Sequence, residues 1–485
     1  MAGQAHAEVG RIKAPEILPR VRLASPYRAD LVSLAGSGFR RGPLPGWRKA
    51  GMQAARTSPS EAALADRFSS FDEFSAHLDR LGLFHMDLTL DRVREFGRRA
   101  GLARPPFAVA HVVGTNGKGS TSVFLESIAR EHGLRTGLYT SPHFLSFRER
   151  ILVGGRMLPE ERWTRLANRA MSIGGDLGLT YFELLTCMAV LAFAEDGVEL
   201  AVMEAGLGGR YDAVSAFETD LTLFTPIGMD HMRILGDTLT AIARDKAEAM
   251  RQCEGGGLAV TGWQEPETLG VLRETAERKG ARLLMAGWVA SLPQGARLGL
   301  AGPHQRGNAL LALAAWRLVT TALGREPDAE AETRGLARAF IPGRLQRCPA
   351  IPGRSPELIL DGAHNEPGLN ALLVAVEELR IRPKALLFSC LKDKELSAMV
   401  PLAARLTDGP ILATGLPGCD RSRAPAEIVA AFATLGRQAE AFPDPQAALA
   451  RAAALGGPVL ACGSLYLLAA LYTNRPECLE NANPA

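Results

Sequence analysis

From Ser69 onward, short apolar runs alternate with amphipathic stretches along the chain. Apolar runs bounded by turn residues predict buried strands, and the first series covers 107–113, 135–140, 198–204, 221–227 and 257–261. The stretches between these runs have a helical pattern, and the first of them, 118–132, stops at Gly133. Strands that alternate with helices predict a parallel, doubly wound sheet.

A second series of apolar runs covers 357–361, 385–390, 410–414 and 458–463, again with helical stretches between them. A helix that begins near His304 and the turn-forming "IPGRL" at 341–345 separate the two series. We therefore predict an α/β fold of two domains, joined by a hinge near Pro342 and Gly343. The predicted divisions are a domain at 67–343, a smaller domain at 344–475 and a tail at 476–485.

The segment 1–66 differs from the rest in composition. Residues 1–56 hold ten Lys or Arg and three Asp or Glu, in a chain whose formal net charge is +3. The segment is rich in Pro, Gly and Ser and has no sustained apolar run, so it is not a secretory signal. Two interpretations are preferred, a disordered extension or a true start at Met52, and an Arg-rich transit peptide is the third.

Length and composition limit the class of protein. The 485 residues exceed one ordinary core, and 47% hydrophobic with 22% charged residues is typical of a soluble globular protein. The seven cysteines form no Cys-x-x-Cys pair, which argues against a disulfide framework or zinc site and favours the cytoplasm. No apolar run reaches the roughly 20 residues of a membrane span, and the small net charge gives no indication of nucleic acid as a partner.

The stretch "HVVGTNGKGST" (111–121) joins a predicted strand to a predicted helix. It is not a Walker A loop, because that register requires a glycine where Val112 stands. The free N–H groups and the dipole at the start of the helix nevertheless favour an anion there, and Lys118 adds a positive charge. The sequence predicts a nucleotide phosphate site, and the alternative is a glycine-rich turn with a solvent-exposed lysine.

Polar side chains follow three other predicted strands. Ser141 follows the second, Glu204 ends the third, and Asp230 with His231 follows the fourth. Ligands in such sheets bind beyond the carboxyl ends of the strands, so these groups are expected near the glycine loop. Carboxylate and hydroxyl oxygens beside a phosphate favour Mg²⁺. Taken singly, the serine is equally compatible with a structural role in a turn, and a lone histidine at such a position is more often structural.

The motifs together resemble those of the folylpolyglutamate synthase/dihydrofolate synthase family, which is related to the Mur ligases. Between residues 69 and 475 they are "GTNGKGS", "TSPH", "EAGLGGRYDA", "PIGMDH", "ARDKAEAM", "HQRGNALLAL", "PGRLQ", "LDGAHN" and "CGSLYL". Gly119, inserted into the loop, is similar to the folate branch rather than the Mur branch. The resemblance implies a Mur-ligase-like fold, with an N-terminal P-loop domain and a smaller, Rossmann-like C-terminal domain.

The resemblance implies ATP and two Mg²⁺ ions as cofactors. The implied nucleotide contacts are Thr115, Asn116, Gly117, Lys118, Gly119, Ser120, Asn308, Arg344 and Asp361. The implied metal ligands are Ser141, Glu204, His231 and Lys246, the last as a lysine carbamylated by carbon dioxide. A carbamate supplies anionic oxygens to a hard cation, whereas an ammonium would repel it. Lys118, Lys246 and His231 are therefore expected to support catalysis, and the role of His364 is left open.

The resemblance also implies a folate pocket. Its implied lining is Met86, Asp87, Leu88, Thr89, Thr180, Tyr181, Phe182, Glu183, Tyr211, Asp212 and Ala213. An aromatic side chain can stack on a flat ring, and a carboxylate can pair with an amino-pyrimidine edge. Core packing is the alternative for the aromatic residues at 181 and 182.

The implied reaction is the ATP-dependent addition of L-glutamate to dihydropteroate and to folates through an acyl phosphate, by a monomer. The alternatives are a ligase for one of these steps, a Mur-type ligase and a nucleotide-binding ATPase switch. The chain departs from the family pattern at Glu366, which is inserted in "HNEP", and after "CLKDKE", where Arg423 and Ala424 keep only part of the glutamate-side pattern.

Overall fold

Two sheets flanked by helices form the molecule. A computed structural model describes residues 67–82, 87–252 and 257–479. The predictions for segment 1–66, for Met86 and for the last part of the tail concern residues outside these ranges. The two sheets confirm the predicted α/β fold, with a larger first domain and a smaller second one.

The first sheet has eight strands in the order β4-β3-β2-β5-β1-β6-β7-β8. In chain order they are β1 (Ala108–Val113), β2 (Thr136–Tyr139), β3 (Ile151–Val153), β4 (Arg156–Met157), β5 (Leu200–Glu204), β6 (Leu221–Phe224), β7 (Leu258–Thr261) and β8 (Arg282–Met285). Six strands are parallel. β1 lies between β5, on the side of the sheet that leads to β2, and β6, on the side that leads to β7 and β8. Chain order reverses there, which is where such sheets bind ligands.

The short strands β3 and β4 depart from the predicted parallel sheet. They form a hairpin that pairs antiparallel to β2 at the edge. β3 is an apolar run of only three residues and both residues of β4 are exposed, so periodicity does not reveal either strand. β8 was missed for a similar reason, because none of its four residues is fully buried.

Helices cover both faces of this sheet. They are α1 (Phe71–Leu81), α2 (Asp91–Ala100), α3 (Lys118–Glu131), α4 (Glu160–Gly174), α5 (Tyr181–Glu195), α6 (Met232–Leu235), α7 (Leu239–Ala247), α8 (Pro266–Lys279), α9 (Ala286–Val289), α10 (His304–Leu323) and α11 (Ala329–Arg338). Single 3₁₀ turns lie at Phe147–Arg150 and Ala213–Ala216. Strand residues enter three cores, one with α1, α2, α4 and α5, one with α3, α10 and α11, and one with α7 and α8. Burial on both faces explains why these strands are continuously apolar.

The second sheet repeats the design with six strands, in the order β13-β12-β11-β14-β10-β9. The strands are β9 (Gln346–Cys348), β10 (Leu358–Leu360), β11 (Ala385–Phe388), β12 (Ile411–Thr414), β13 (Ala439–Phe442) and β14 (Val459–Cys462). The helices are α12 (Glu366–Glu378), α13 (Leu396–Ala403), α14 (Pro425–Ala433), α15 (Pro445–Ala453) and α16 (Leu465–Asn474), followed by a 3₁₀ turn at Pro476–Leu479. Only β9 is antiparallel, and neither β9 nor β13 was predicted, because both lie at edges with polar positions. No helix in the described part of the chain is long and apolar enough to cross a bilayer.

An ion pair with a buried carboxylate joins α10 and α11, which cover one face of the first sheet. Nε and Nη2 of Arg317 on α10 each donate to one oxygen of Glu332 on α11, both at 2.8 Å. The Glu332 side chain is only 1% exposed, whereas Glu330 on the same helix is 90% exposed. A fully paired buried carboxylate is costly to replace by an amide, since an amide offers one acceptor where two are needed.

We expect Glu332→Gln to lower the free energy of unfolding by about 1–3 kcal/mol, because one donor of Arg317 loses its acceptor. Glu330→Gln is the matched control and should change it by no more than about 0.5 kcal/mol. Thermal unfolding of the two variants compares them directly. Equal melting temperatures would show that the Arg317 pair does not hold α11 in place.

Candidate active site

The carboxyl ends of the central strands of the first sheet face the second domain across a cleft of about 2350 Å³. The cleft is lined by the glycine loop after β1, by the ends of β2, β5 and β6, by the first turn of α10, and by loops of the second domain. Polar groups separated by up to several hundred residues in the chain therefore share one space. A pocket at the topological switch point of a sheet is the expected place for a ligand.

The glycine loop is tied to the end of β6. The Thr115 N–H donates to the carbonyl of Pro226 at 3.0 Å, and the hydroxyl of Thr115 is 3.0 Å from both the N–H and the carbonyl of Gly228. Gly117 has a φ of 87°, and a Cβ there would lie 2.4 Å from Oδ1 of Asn308. A side chain would collide at this position, so the loop needs glycine to reach the first turn of α10.

The extra glycine of the loop has a steric reason. A Cβ on Gly119 would lie 3.1 Å from Cδ1 of Ile341 and 3.5 Å from Oε2 of Glu204. Gly119 therefore lets α3 begin beside both the interdomain segment and the acidic end of β5. Lys118, the first residue of α3, donates to the carbonyl of Thr115 at 3.1 Å, and Ser120 is 1% exposed.

Glu204 is a buried carboxylate at the end of β5. The backbone N–H of Ser141 donates to its Oε2 at 3.1 Å, and burial raises its pKa although the charge of Lys118 acts in the opposite direction. The carboxylate keeps free lone pairs in a space that it shares with Lys118. His231 lies on the same cleft, and burial lowers its pKa to about 4, so its ring is neutral at physiological pH.

Lys246 on α7 is only 4% exposed. Its Nζ donates to the carbonyl of Gly114 at 2.9 Å, which directs the side chain toward the glycine loop. Burial and the charge of Lys118 lower its pKa to about 7, so the neutral amine is well populated near physiological pH. Lys246 is therefore a buried residue of α7 and not a lysine on the helix surface.

The four predicted metal ligands can be tested against the donor types that cations prefer. In the described ranges, no three His, Cys, Asp or Glu side chains cluster closely enough to hold a metal ion. The predicted set instead combines Glu204, the hydroxyl of Ser141 and the neutral ring of His231 with Lys246. Oxygen-rich donors beside a buried, incompletely paired carboxylate fit a hard divalent cation, provided that Lys246 is not an ammonium.

The predicted nucleotide contacts come from both domains. His304, Gln305 and Asn308 form a hydrogen-bonded row on the first turn of α10, with Asn308 donating to Gln305 at 3.0 Å. In the second domain, Asp361 accepts from the N–H groups of Leu345 and Ala363 at 2.8 and 2.9 Å. Burial raises the pKa of Asp361, against the charge of Arg344, which lines the cleft beside it.

Within the described ranges, the predicted folate-side residues other than Thr89 line the cleft, but several of their polar groups are already engaged. Thr180 and Glu183 form the capping box of α5, and Nε and Nη2 of Arg92 donate to the two oxygens of Glu183 at 3.1 and 3.0 Å. Asp87 pairs with the same guanidinium at 2.6 Å. Any contact between Glu183 and a ligand must therefore use its remaining lone pairs.

Some aromatic and loop residues of this wall are buried and structural, whereas others are accessible to a ligand in the cleft. Tyr181 is 5% exposed and belongs to the core, whereas Phe182 packs against Gly206 at the cleft, and Tyr211 is 43% exposed. Asp212 is buried and accepts from the N–H groups at 206, 207 and 214, so it holds its loop in shape. Of the three remaining predicted residues, Leu88 is 53% exposed, Thr89 accepts a hydrogen bond from the N–H at 91, and Ala213 is buried.

Contacts between the domains involve Asn365 and Lys394, two residues to which the sequence analysis assigned no role. Asn365 donates from Nδ2 to Asp230 at 2.9 Å and exchanges two 3.3 Å hydrogen bonds with Asn116. Lys394 forms an ion pair of 2.6 Å with Asp230, and both side chains are about nine-tenths buried. Burial raises the pKa of Asp230, but His231, when its ring is protonated, and the ammonium of Lys394 outweigh it and hold the pKa well below its usual range.

The two departures from the family motifs are accommodated locally. Asn365 caps α12 by accepting from the N–H of Gly368 at 2.9 Å, and the inserted Glu366 is the exposed first residue of that helix. Asp361 and His364 still line the cleft, with Nδ1 of His364 2.7 Å from the carbonyl of Gly362. Arg423 donates to the carbonyls at 392 and 394, so it supports the loop that carries Lys394.

Comparison with known families defines the class of protein. The Mur ligase middle domain matches residues 112–291, and the Mur ligase glutamate ligase domain matches residues 343–465. Together they span both sheets and the cleft, so the chain is a member of the Mur ligase superfamily.

Curated relatives narrow this class to one family. The chain is 35% identical over 361 residues to dihydrofolate synthase/folylpolyglutamate synthase of Bacillus subtilis, covering 67% of this chain and 82% of that protein. It is 34% identical to the Escherichia coli protein of the same name, covering 69% of this chain and 79% of that one. The chain belongs to the dihydrofolate synthase/folylpolyglutamate synthase family.

Solved structures agree with this fold. Escherichia coli FolC in complex with DHPP and ADP superposes with a TM-score of 0.73 and 29% identity, covering 84% of this chain and 98% of that chain. The bifunctional folylpolyglutamate synthase/dihydrofolate synthase of Yersinia pestis, complexed with AMPPNP and Mn ion, gives a TM-score of 0.73, 27% identity and the same coverage.

The ion pair between Lys394 and Asp230 should control the distance between the domains. We expect Lys394→Met to weaken the interdomain contact by about 3 kcal/mol, because it leaves a buried carboxylate without its cation. The radius of gyration from small-angle scattering should rise. Lys392→Met is the matched control, since the Lys392 ammonium donates to the backbone carbonyl of Asp420 within the second domain. A radius that stays the same in both variants would contradict the role of the pair.

Proposed function

We propose that this protein is an ATP-dependent ligase that joins L-glutamate to dihydropteroate and to folates through an acyl phosphate. The observation that supports this proposal most directly is the single cleft in which the glycine loop, Glu204, Lys246 and the "LDGAHN" loop of the second domain meet. A nucleotide-binding switch would not require the second domain to contribute Asp361 and His364 to the same space.

The nucleotide is held from both sides in this proposal. The N–H groups of residues 115–120, at the start of α3, and the ammonium of Lys118 bind the phosphates, while Ser120 supplies a hydroxyl. Asn308, Arg344 and Asp361 contact the remainder of the nucleotide. Because these residues belong to two domains, binding of ATP favours the closed arrangement that the ion pair between Asp230 and Lys394 already supports.

Ser141, Glu204, His231 and Lys246 as a carbamate would hold the divalent cations. When bound, Mg²⁺ neutralises charge on the phosphate oxygens during phosphoryl transfer. The neutral, buried amine of Lys246 is the form that adds to carbon dioxide, and the carbamate that results replaces a repulsive charge with an anionic ligand. The hydrogen bond from Nζ of Lys246 to the carbonyl of Gly114 shows that the amine lies beside the glycine loop.

The reaction then proceeds by activation of a carboxylate. An oxygen of the acceptor carboxylate attacks the γ-phosphorus of ATP, ADP leaves, and an acyl phosphate forms. The amine of L-glutamate attacks the acyl carbon, phosphate departs with the bonding electrons, and the amine loses a proton as the amide forms. The chain positions these groups, neutralises their charge and excludes water from the acyl phosphate, so no protein nucleophile is needed.

The acceptor binds along the wall formed by α5 and the loop after β5. Phe182 and Tyr211 offer aromatic surface to the flat rings of a pterin, and Asp87 and Leu88 extend the same wall. Thr89 and Met86, the second of which is outside the described residues, remain proposed contacts. Asp212 and Glu183 act there chiefly by holding the loops in shape. The proposed location is the cytoplasm, with which the six free cysteines of the described ranges agree. The proposed enzyme acts as a monomer.

The reaction is tested by phosphate release from the purified protein with ATP and Mg²⁺. We expect release to require both L-glutamate and either dihydropteroate or tetrahydrofolate. Activity with one acceptor only would select a ligase for that single step. Release that ignores both acceptors would identify an ATPase, and activity with a Mur-type substrate alone would also refute the folate assignment.

We expect Lys246→Ala to lose most of the activity, because the site then lacks an anionic metal ligand. Protein equilibrated with ¹³C-labelled bicarbonate at pH 8, above the pKa of about 7, should show a carbamate signal by NMR. The signal should fade as the pH falls below 7 and the amine is protonated. The exposed Lys384→Ala is the control and should keep both signal and activity. Full activity in Lys246→Ala would exclude the carbamate.

A further inference from the structure

Arg150 is a buried cation that neither the motifs nor the proposed nucleotide and metal sites use. It ends the 3₁₀ turn that precedes β3, and it is only 4% exposed. Its backbone carbonyl accepts from the N–H of Thr140 at 3.0 Å, which fixes it beside the end of β2, where Ser141 contacts Glu204. Arg150 therefore lies at the junction between the proposed metal site and the folate wall.

The guanidinium is oriented by its neighbours without being neutralised. Nε donates to Nδ1 of His143 at 2.8 Å, and the Tyr181 ring lies 5.4 Å from the guanidinium carbon. Because Nδ1 of His143 accepts this hydrogen bond, the ring offers a lone pair and no negative charge to the guanidinium. Within the described ranges, no carboxylate lies within ion-pair distance of Arg150, and its terminal nitrogens have no hydrogen-bond acceptor.

A buried guanidinium without an anion is unfavourable, and Arg150 lines the cleft. Its two terminal nitrogens form a planar fork that matches the two oxygens of a carboxylate. In the proposed function, the phosphates of ATP already have Lys118 and the glycine loop as partners. The other anions of the proposed reaction are the carboxylates of L-glutamate and of the acceptor. Because Arg150 lies against Tyr181 of the folate wall, the acceptor carboxylate, which becomes phosphorylated, is the one that fits this position.

We propose that the terminal nitrogens of Arg150 bind the reacting carboxylate of the acceptor, with His143 as the residue that positions the guanidinium. This inference rests on the proposed function, because that function supplies the carboxylate. The contact orients one carboxylate oxygen toward the γ-phosphate. Arg150 then acts on binding and orientation of the acceptor, not on binding of the nucleotide.

A double-mutant cycle between protein and ligand tests this contact. Dihydropteroate and an analogue without the carboxylate are titrated, with AMPPNP and Mg²⁺ present, into the wild type and into Arg150→Gln. We expect the wild type to bind dihydropteroate about tenfold to a hundredfold more tightly than the analogue, which is typical of hydrogen bonds to a charged group. The variant should bind both ligands with similar, weak affinity.

Arg148→Gln is the matched control. Arg148 belongs to the same 3₁₀ turn, but its guanidinium pairs with Glu160 and lies outside the cleft. This variant should discriminate between the ligands as the wild type does. Arg150→Lys keeps the charge without the fork, so it should retain part of the discrimination and an unchanged KM for ATP. It also provides a test if Arg150→Gln does not fold.

Undiminished discrimination in Arg150→Gln, or in Arg150→Lys if only that variant folds, would overturn the contact while leaving the ligase function intact. Equal affinity of the wild type for the two ligands would overturn it as well. Failure of the wild type to bind dihydropteroate at all would instead count against the proposed function. The contact proposed for Arg150 would then be refuted as well, because no acceptor carboxylate would be bound.

Discussion

The contact between Asp230 and Lys394 sets the geometry on which the rest of the cleft depends. Asp230 follows the end of β6 in the first sheet, and Lys394 and Asn365 reach it from two loops of the second domain. Since both charges are almost fully buried, the pair has little freedom to separate without exposing an unpaired ion. Asn116 of the glycine loop joins the same network, so domain position and loop conformation are coupled.

Around this contact, several buried charges lack full compensation from the protein. Glu204 accepts one backbone hydrogen bond, Lys246 reaches only a carbonyl oxygen, and Arg150 is held by a neutral histidine. Such groups cost stability unless a ligand completes them. Their arrangement makes chemical sense for a ligase, since cations, phosphates, a carbamate and a carboxylate would each supply a missing partner.

The strands buried on both faces were predictable, because β11 and β14 are apolar over all four residues, and β1 and β5 each hold only one polar residue, His111 and Glu204. The hairpin of β3 and β4 and the edge strands β9 and β13 were not, because short, partly exposed strands leave no such run. The glycine loop could be recognised by its motif. The reason for Gly119 could not, because it depends on Ile341, which lies more than two hundred residues further along the chain.

By itself, the sequence determined the alternation of strands and helices, the glycine loop and the polar residues at strand ends, because these follow from local periodicity and from short motifs. The tertiary structure alone decided which charges meet. Lys394 and Asp230 are 164 residues apart in the chain, and Lys246 and Gly114 are 132 apart. Whether a lysine is a solvent-exposed ammonium or a buried amine depends on what surrounds it after the chain has folded, and no local pattern carries that information.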